Sequence, residues 1–372
     1  MAKRILITST DLMMVQFLVP HVKNLASNGF EVEIACSEVG GRLSEVKEIL
    51  KKYVKAVHQV RLVRSPVSMM NFKGYKDMKH VIDQGNYDLI WTNEPVMGVA
   101  TRLAARHARK HGTRVIYMVH GFHFFKGAPK KYWMMFYPIE KFAGCFCDSV
   151  VTVNKEDYKR AKCMGLPDVQ YIHGIGINTE RLTLGEKKND IREELGLPKD
   201  AFLVLSVGEL NENKNQKTII SAIAQLNDPD IIYVLCGKGD QFDNLRKQVT
   251  ELKLEDNIHF LGYRTDVVDI CSQSDVYVMP SHREGLPVAS LEAMYCGLPL
   301  VTSNIRGLVD IMEDGVSGYL CNPDDAYSFS RAISKLKNDI SLRKQCGRRN
   351  REFVKPYLIE NTKKEILELF KE

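Results

Sequence analysis

Short apolar runs alternate with stretches of helical periodicity along the whole chain. The first half contains five runs that predict β-strands: RILITST, EVEIACS, YDLIWTN, TRVIYMVHG and SVVTVNK. The second half repeats the pattern with six more: AFLVLSVGEL, DIIYVLCGKG, NIHFLGY, VYVMPS, LPLVTSN and GYLCN. Continuous apolar strands separated by helices are typical of parallel sheets that are covered on both faces. The sequence therefore predicts an α/β protein with two doubly wound sheets.

The same pattern predicts two domains and a final helix. A segment rich in glycine, charge and turn residues, 173–200, separates the two series of strands. We expect a first domain at 1–175 and a second at 176–355. The tail IENTKKEILELFKE has the apolar spacing of an amphipathic helix, and we assign residues 356–372 to it. Ligands of doubly wound sheets bind beyond the carboxyl ends of the strands, so candidate residues are sought there.

Composition favours a cytoplasmic protein. The chain has 372 residues, 44% of them hydrophobic, and its apolar runs are too short to span a bilayer. Its first residues lack the apolar core and cleavage site of a signal peptide. Nine cysteines are scattered without a CxxC pair, which predicts reduced, mostly buried thiols rather than disulfides or zinc ligands.

Charge is distributed unevenly between the halves. Residues 1–175 hold 26 Lys and Arg against 15 Asp and Glu, whereas the remainder holds 26 against 31. The basic first half predicts contact with an anionic surface, for which nucleic acid and an anionic membrane leaflet both qualify. Because no nucleic-acid-binding module is recognisable, the membrane is favoured.

The run SHREGLPVASLEAMYCG joins a predicted strand to a predicted helix. It places Glu284 in the connecting loop and Glu292 inside a helix that Gly297 would end. Free N–H groups near Leu286 to Ala289 would form an anion site, strengthened by the helix dipole. Carboxylates repel a phosphate, so both glutamates should face sugar hydroxyls instead. The alternative is that Glu284 is an ordinary loop residue and Glu292 is solvated.

The longer run SHREGLPVASLEAMYCGLPLVTSNIRGLVDIMEDGVSGYL resembles the E-x7-E signature of family 4 glycosyltransferases. The resemblance implies the GT-B fold: two doubly wound, Rossmann-like domains facing across a cleft, with the C-terminal helix returning to the first domain. It implies that Glu284 contacts the donor sugar and that Glu292 holds the ribose hydroxyls. The donor-binding segment that joins them includes Gly285, Leu286, Pro287 and Val288.

A second run, SVGELNENKNQKTIISAI, resembles the family segment Gly-Arg-Leu-x-x-x-Lys-Gly. Gly208 and Lys214 match it, and Lys214 would lie against the donor diphosphate. Glu209 replaces the family arginine and Asn215 replaces the final glycine. An acid there opposes diphosphate binding, so Glu209 should turn away, pair with Lys214, or be compensated by a nearby Lys238 or Arg283.

Further positions are assigned by the same resemblance. The turn at Gly237 would line the donor site, and the backbone of Gly262, Tyr263 and Arg264 would frame the nucleotide base, which suits uracil. In the first half, His120 ends a predicted strand where the family places a histidine that approaches the donor sugar. His123 is a weaker candidate, for which a structural role is the alternative. Thr10 and Asp11 stand where the family has a glycine-rich loop.

The stretches HGFHFFKGAPKKYWMMFYPIEKFAGCFCDSVVTVNKEDYKRA and TNEPVMGVATRLAARHARKHGTRVIY resemble bacterial enzymes of capsular, exopolysaccharide and O-antigen synthesis. The resemblance implies a retaining transferase that moves a hexose or N-acetylhexosamine from a UDP-sugar to a polyprenyl-diphosphate-linked saccharide. We expect neither a cofactor nor a metal ion, and no nucleic-acid partner. We expect peripheral attachment to the inner face of the cytoplasmic membrane, through basic residues and the aromatic side chains of KGAPKKYWMMFYP.

Two other functions remain open at this point. A nucleotide-sugar 2-epimerase has the same fold and needs no acceptor, and the E-x7-E run argues against it. A non-catalytic scaffold that binds sugar nucleotides is favoured only by Glu209.

Overall fold

The computed structural model describes residues 2–10, 12–37, 48–179, 182 and 190–371. They form two compact units. Unit 1 comprises the chain up to Gly176 together with the last helix, and unit 2 spans Ile177–Leu358. Each unit is built on one parallel sheet, in agreement with the alternation of apolar runs and helical stretches.

The sheet of unit 1 has seven strands in the order β3-β2-β1-β4-β5-β6-β7. They are β1 (Arg4–Ser9), β2 (Glu31–Cys36), β3 (Ala56–Gln59), β4 (Leu89–Asn93), β5 (Arg114–Val119), β6 (Ser149–Thr152) and β7 (Val169–Tyr171). The order reverses between β1 and β4, so this is the point where a doubly wound sheet opens a crevice for ligands. The two edge strands, β3 and β7, were missed from the sequence.

Helices cover this sheet on both faces. They are α1 (Leu12–Ser27), α2 (Met70–Gly85), α3 (Pro95–Ala104), α4 (Arg106–Lys110), α5 (Lys130–Gly144) and α6 (Lys155–Cys163). The central strands are mostly apolar and buried, as β5 illustrates: in RVIYMV every residue after the half-buried Arg114 is buried. Burial on both faces explains why these strands show no alternation of apolar and polar residues.

Unit 2 has six parallel strands in the order β10-β9-β8-β11-β12-β13. They are β8 (Phe202–Val207), β9 (Ile231–Cys236), β10 (Ile258–Gly262), β11 (Val276–Met279), β12 (Leu300–Ser303) and β13 (Gly318–Cys321). Its helices are α7 (Ile191–Glu194), α8 (Gln216–Leu226), α9 (Phe242–Glu251), α10 (Val267–Gln273), α11 (Val288–Cys296), α12 (Leu308–Ile311), α13 (Ala326–Asn338) and α14 (Ile340–Phe353). The order reverses between β8 and β11, which both carry predicted site residues at their carboxyl ends.

The last helix, α15 (Ile359–Lys371), packs on unit 1, as the fold predicted. The ring of Phe370 contacts Trp91 with centroids 5.3 Å apart, and His173 Nδ1 donates to Glu365 Oε1 at 2.6 Å. Arg114 Nη1 donates to the carbonyl of Leu369 at 2.9 Å. In the described part of the chain, no helix has the length and apolar character to cross a bilayer.

A charged pair lies inside unit 1. Arg102 Nη2 donates to Glu140 Oε2 at 2.7 Å, and the Tyr117 hydroxyl donates to Glu140 Oε1 at 2.9 Å. Arg102 is completely buried and is therefore not part of the basic surface predicted for the first half of the chain. The pair instead ties α3 and α5 to strand β5. Removing one partner of such a pair leaves the other charge buried without a counter-charge, which is strongly destabilising.

Candidate functional site

The reversal point of the unit 2 sheet brings two predicted residues together. Lys214 follows β8, and Glu284 lies in the loop between β11 and α11. Lys214 Nζ donates to Glu284 Oε1 at 2.8 Å, and their side chains are 22% and 11% exposed. A largely buried ammonium and carboxylate thus balance each other at the edge where ligands of such sheets bind.

A short asparagine-rich loop fastens Lys214 in place. Asn213 Nδ2 donates to the carbonyl of Arg283 at 2.9 Å, and the His282 N–H donates to the Asn213 carbonyl at 2.8 Å. Asn215 Nδ2 donates to the carbonyl of Pro280 at 3.1 Å. The loop carrying the cation is therefore bonded directly to the loop carrying the acid. The sequence analysis identified Asn215 only as the replacement for the family glycine and missed Asn213, although the run NENKN was visible.

The two departures from the family pattern have physical explanations. Asn215 adopts φ 54° and ψ 33°, the left-handed conformation that glycine takes easily and asparagine tolerates best among other residues. Glu209 is exposed, and its Oε2 accepts a hydrogen bond from Asn211 Nδ2 at 2.9 Å. Among the described contacts, Glu209 forms no ion pair with Lys214, Lys238 or Arg283.

Glycines bring three strand ends into backbone contact. The Gly237 N–H donates to the Gly262 carbonyl at 2.7 Å, and the Gly208 N–H donates to the Cys236 carbonyl at 2.9 Å. A Cβ on Gly237 would lie 1.8 Å from the Gly208 carbonyl oxygen. A side chain at Gly237 would therefore push apart the loops that follow β8 and β9.

The backbone around Glu284 is supported from behind. Arg306, which is 5% exposed, donates from Nε to the Glu284 carbonyl at 3.1 Å. A Cβ on Gly307 would lie 2.4 Å from the Gly285 carbonyl oxygen. This pair of neighbours fixes the direction in which the chain enters α11. Gly307 belonged to the resembling segment, but Arg306 was not recognised as a site residue.

The helix after Glu284 begins as predicted. Leu286 and Pro287 lead into it, its first residue is Val288, and no described side chain caps its first N–H groups. Glu292 lies half-buried inside the helix, one turn from its start. The helix ends at Gly297, whose φ of 83° is the left-handed C-cap that glycine favours. The loop and helix positions of the two glutamates agree with the sequence.

The segment expected to frame a nucleotide base carries a tight charge cluster. Arg264 donates to Asp266 at 2.8 and 2.6 Å and to Glu194 at 2.6 and 3.0 Å. These two acids raise the pKa of Arg264. The guanidinium therefore bonds to carboxylates, so the predicted contact with the nucleotide base would be made by the backbone of this segment. Tyr263 is 53% exposed beside it.

In unit 1, His120 lies where β5 ends. Its Nε2 donates to Asn93 Oδ1 at 3.0 Å. Burial lowers the pKa of His120 to about 4, so the imidazole is neutral at neutral pH. His123 stacks on Phe136 with centroids 4.5 Å apart, which favours its structural alternative. Asp11 lies outside the described residues.

Sequence reasoning missed Glu94, which follows β4 at the reversal point of the unit 1 sheet. Its Oε2 accepts hydrogen bonds from the Ser9 hydroxyl and from the Thr10 N–H, both at 2.7 Å. Burial raises the pKa of Glu94. The only signal in the sequence was an acid between a buried strand and a proline, in TNEP.

Within residues 2–10, 12–37, 48–179, 182 and 190–371, no three His, Cys, Asp or Glu side chains are grouped as metal ligands. The nine cysteines, all described, form no disulfide, and seven of them are buried.

Comparison with known families matches both halves. Residues 16–181 match the model of Glycosyltransferase Family 4, and residues 187–353 match that of Glycosyl transferases group 1. The chain is 35% identical to EpsD of Bacillus subtilis, whose assignment as a glycosyltransferase is itself provisional, over 100% of this chain and 97% of that protein. It is 28% identical to the UDP-Gal:α-D-GlcNAc-diphosphoundecaprenol α-1,3-galactosyltransferase of Escherichia coli, over 85% of this chain and 82% of that protein.

Solved structures share the fold over the full chain. HepE of Anabaena in complex with UDP-glucose superposes with a TM-score of 0.80 at 20% identity, covering 99% of both chains. Sucrose-phosphate synthase of Thermosynechococcus elongatus superposes with a TM-score of 0.81 at 20% identity, covering 99% of this chain and 98% of that one. These likenesses identify the GT-B fold.

Proposed function

The chain belongs to glycosyltransferase family 4 and is a retaining glycosyltransferase; from that premise we propose its donor and acceptor. The donor is a UDP-sugar carrying a hexose or N-acetylhexosamine. The acceptor is a saccharide linked to a polyprenyl diphosphate, and the product serves cell-surface polysaccharide synthesis. The name of the Escherichia coli relative, which specifies such a donor and acceptor, supports both choices.

The Lys214–Glu284 pair carries this proposal. Before the donor binds, the two charges neutralise each other at 2.8 Å. A diphosphate oxygen is a competing partner for the ammonium, and a sugar hydroxyl is a suitable donor to the released carboxylate. The uncapped start of α11 offers N–H groups and a helix dipole to the same diphosphate. Glu292 on that helix is assigned to the ribose hydroxyls.

The reaction then proceeds without a dedicated metal ion. Lys214 and the start of α11 stabilise the negative charge that develops on the departing UDP. The bond between the anomeric carbon and the diphosphate breaks, and the acceptor hydroxyl forms the new bond on the same face. The hydroxyl proton passes to a leaving phosphate oxygen. Glu284 and His120 hold the sugar through its hydroxyls.

A helix face of unit 1 supports attachment to an anionic membrane. On α5 the exposed apolar side chains are Met134, Met135, Ile139 and Phe142, with Met134 77% and Phe142 60% exposed. Lys130, Lys131 and Lys141 are exposed on the same helix, whose single acid, Glu140, is buried. Apolar side chains next to lysines suit the surface of an anionic bilayer.

The aromatic part of the membrane prediction needs correction. Trp133, Phe136 and Tyr137 pack on the core of unit 1, and Trp133 and Tyr137 both contact Phe124. The methionines between them, rather than these rings, face solvent. We therefore assign the membrane contact to the α5 face that carries Met134 and Phe142.

Transfer is tested with UDP-glucose, UDP-galactose and their N-acetyl forms, using farnesyl-diphosphate-linked N-acetylglucosamine as acceptor. A disaccharide product with the anomeric configuration of the donor is expected. An isomerised UDP-sugar without acceptor would indicate the epimerase instead, and UDP binding without any turnover would indicate the scaffold.

Membrane attachment is tested separately by vesicle flotation. Binding to vesicles containing phosphatidylglycerol, but not to pure phosphatidylcholine, is expected at low salt. Met134→Ser combined with Phe142→Ser should weaken it, whereas Leu252→Ser, at an exposed apolar residue of unit 2, should not. Flotation that ignores lipid charge would contradict the assignment.

A further inference from the structure

Beside His120, the reversal point of the unit 1 sheet holds polar groups to which the proposed donor chemistry assigns no role. Ser9 and Thr10 end β1, while Asn93 and Glu94 end β4, its neighbour across the reversal. His120 ends the next strand and bonds to Asn93. A doubly wound sheet binds its ligand at this position. The groups there are hydroxyl, amide, imidazole and carboxylate, and the charge of Arg64 lies near enough to lower the pKa of Glu94.

Glu94 holds a backbone conformation that its residue type disfavours. Its φ is 65° and its ψ is 154°, whereas Asn86, Asn215 and Asn227 occupy the ordinary left-handed region with ψ between 33° and 56°. The conformation of Glu94 is almost restricted to glycine and costs roughly 1–3 kcal/mol for other residues. Glycine would relieve this strain, yet the chain keeps a carboxylate here. Strain retained at a ligand-binding edge is a mark of function.

The Glu94 carboxylate is held by one of its oxygens. Both described donors, the Ser9 hydroxyl and the Thr10 N–H, bond to Oε2. Within the described part of the chain, no group donates to Oε1. A carboxylate has about four acceptor positions, so hydrogen-bonding capacity remains for a ligand. Because a carboxylate repels phosphate, that ligand should present a neutral donor such as a sugar hydroxyl.

We propose that Glu94 binds a hydroxyl of the acceptor sugar through Oε1. This rests on the proposed function, since it presumes a saccharide acceptor. A donor-sugar hydroxyl has the same chemistry, and the experiment below separates the two sources. The strain at Glu94 holds the carboxylate at the reversal point, and Ser9 and Thr10 fix its orientation.

The test compares Glu94→Gln and Glu94→Gly with Asn86→Gly. Glutamine keeps an oxygen for Ser9 and Thr10 but loses the charge, while glycine relieves the strain and removes the acceptor. Asn86→Gly is the matched control, since it changes another residue of positive φ in unit 1, away from strand ends that bind ligands. The readouts are the melting temperature, the shift that UDP produces in it, and kcat/KM for farnesyl-diphosphate-linked N-acetylglucosamine.

We expect both Glu94 variants to lower kcat/KM for the acceptor by about 10- to 100-fold, the loss of one charge-assisted hydrogen bond. Glu94→Gly should melt no lower than the wild type, and UDP should stabilise every variant equally. Asn86→Gly should transfer normally. Acceptors that each lack one hydroxyl sharpen the result. Loss of the hydroxyl that Glu94 binds should lower kcat/KM of the wild type but not that of Glu94→Gln.

Three outcomes would overturn the proposal while the wild type remains active. A lower melting temperature of Glu94→Gly with normal transfer by Glu94→Gln would make Glu94 a structural tether. A weakened UDP-sugar affinity with unchanged acceptor KM would assign the hydroxyl to the donor. Normal transfer by both variants would leave Glu94 without a role in binding. Failure of the proposed function is distinguishable, since the wild type itself would then neither transfer sugar nor respond to UDP.

Discussion

The reversal points of the two sheets both carry a glutamate, but the surroundings that stabilise its carboxylate differ. In unit 2, Glu284 is paired with Lys214 at 2.8 Å. In unit 1, Glu94 is held by a hydroxyl and a backbone N–H, and burial raises its pKa. The same topology therefore supports a lysine–glutamate ion pair in unit 2 and, in unit 1, a carboxylate whose described hydrogen bonds come from neutral groups, while Arg64 acts on it through its charge and lowers its pKa against the effect of burial.

This difference suits two kinds of ligand. A balanced pair can open to accept a molecule that contains both an anion and hydroxyls, because each charge finds a new partner. A carboxylate supported only by neutral donors can receive hydroxyls, while a phosphate would be repelled. The comparison therefore favours a nucleotide sugar in unit 2 and an uncharged sugar ring in unit 1.

The largest effect is expected where unit 1 does contain a balanced buried pair, far from any proposed ligand. Glu140→Gln leaves Arg102 buried without its counter-charge and should lower the free energy of unfolding by about 3–5 kcal/mol. Urea unfolding measures this loss. Replacing Glu156, the partner of Arg160 in a more exposed pair, should cost less than about 1 kcal/mol. Equal losses in the two variants would contradict the buried charge as the cause.

The cation of the unit 2 pair should dominate turnover. Lys214→Ala removes the group assigned to the departing diphosphate and should lower kcat about 100- to 1000-fold. Its loss of stability should be smaller than that of Glu140→Gln, because the Lys214–Glu284 pair is more exposed than the Arg102–Glu140 pair. The matched control is Lys217→Ala, whose side chain is 54% exposed and pairs only with Glu212 at 3.6 Å. Comparable rates for the two variants, measured with saturating donor, would remove Lys214 from the mechanism.

The acid of the same pair should matter less than the cation. Glu284→Gln keeps the hydrogen-bonding shape but weakens the bond to a sugar hydroxyl, which should lower kcat/KM for the donor about 10- to 100-fold. The UDP-induced shift of the melting temperature should persist or increase, because Lys214 no longer has a competing carboxylate. A reduced UDP shift would mean that Glu284 supports the diphosphate rather than the sugar.

Acid should destabilise unit 1 through its buried histidines. Burial lowers the pKa of His21 and of His120 to about 4 each. Between that value and about 6.5, the unfolded chain binds protons that the folded chain does not, so stability falls as the pH falls. Unfolding free energies at pH 7 and pH 5 should differ less in His120→Asn than in the wild type, by about 1–2 kcal/mol. An unchanged difference would argue against a neutral His120.

The smallest effect is expected at Glu209. Its carboxylate is exposed and bonds to Asn211 rather than to Lys214, so only weak, screened repulsion of a diphosphate is expected. Glu209→Gln should therefore lower the donor KM by less than about threefold, and the gain should disappear at high salt. A large improvement would show that the carboxylate approaches the donor more closely than its hydrogen bond to Asn211 indicates.

The sequence predicted most of the sheets because buried parallel strands form continuous apolar runs. The edge strands were missed for the opposite reason. AVHQ and VQY are short and contain polar residues, since an edge strand is covered on one side only. The two doubly wound sheets, the loop position of Glu284 and the helix position of Glu292 followed from patterns that local physics constrains, whereas the GT-B fold followed from the family resemblance.

The rest of the site depended on contacts between distant segments. No periodicity could reveal that Asn213 bonds to the loop of Arg283, or that Arg306 supports the Glu284 carbonyl. The conformation of Glu94 is likewise imposed by its surroundings, since glutamate does not favour it. On α5, sequence composition gave the aromatic and basic residues but not which side of the helix faced the core.

The return of α15 to unit 1 has a consequence for biosynthesis. Unit 2 is one continuous segment, Ile177–Leu358, whereas unit 1 is completed by α15, which is synthesised after unit 2. Trp91 and His173 therefore gain their contacts with Phe370 and Glu365 only after the whole of unit 2 has been made. Domains usually complete their folding in the order of synthesis, starting from the amino terminus. Here the second unit can complete its folding first, and the first stays incomplete until α15 is available.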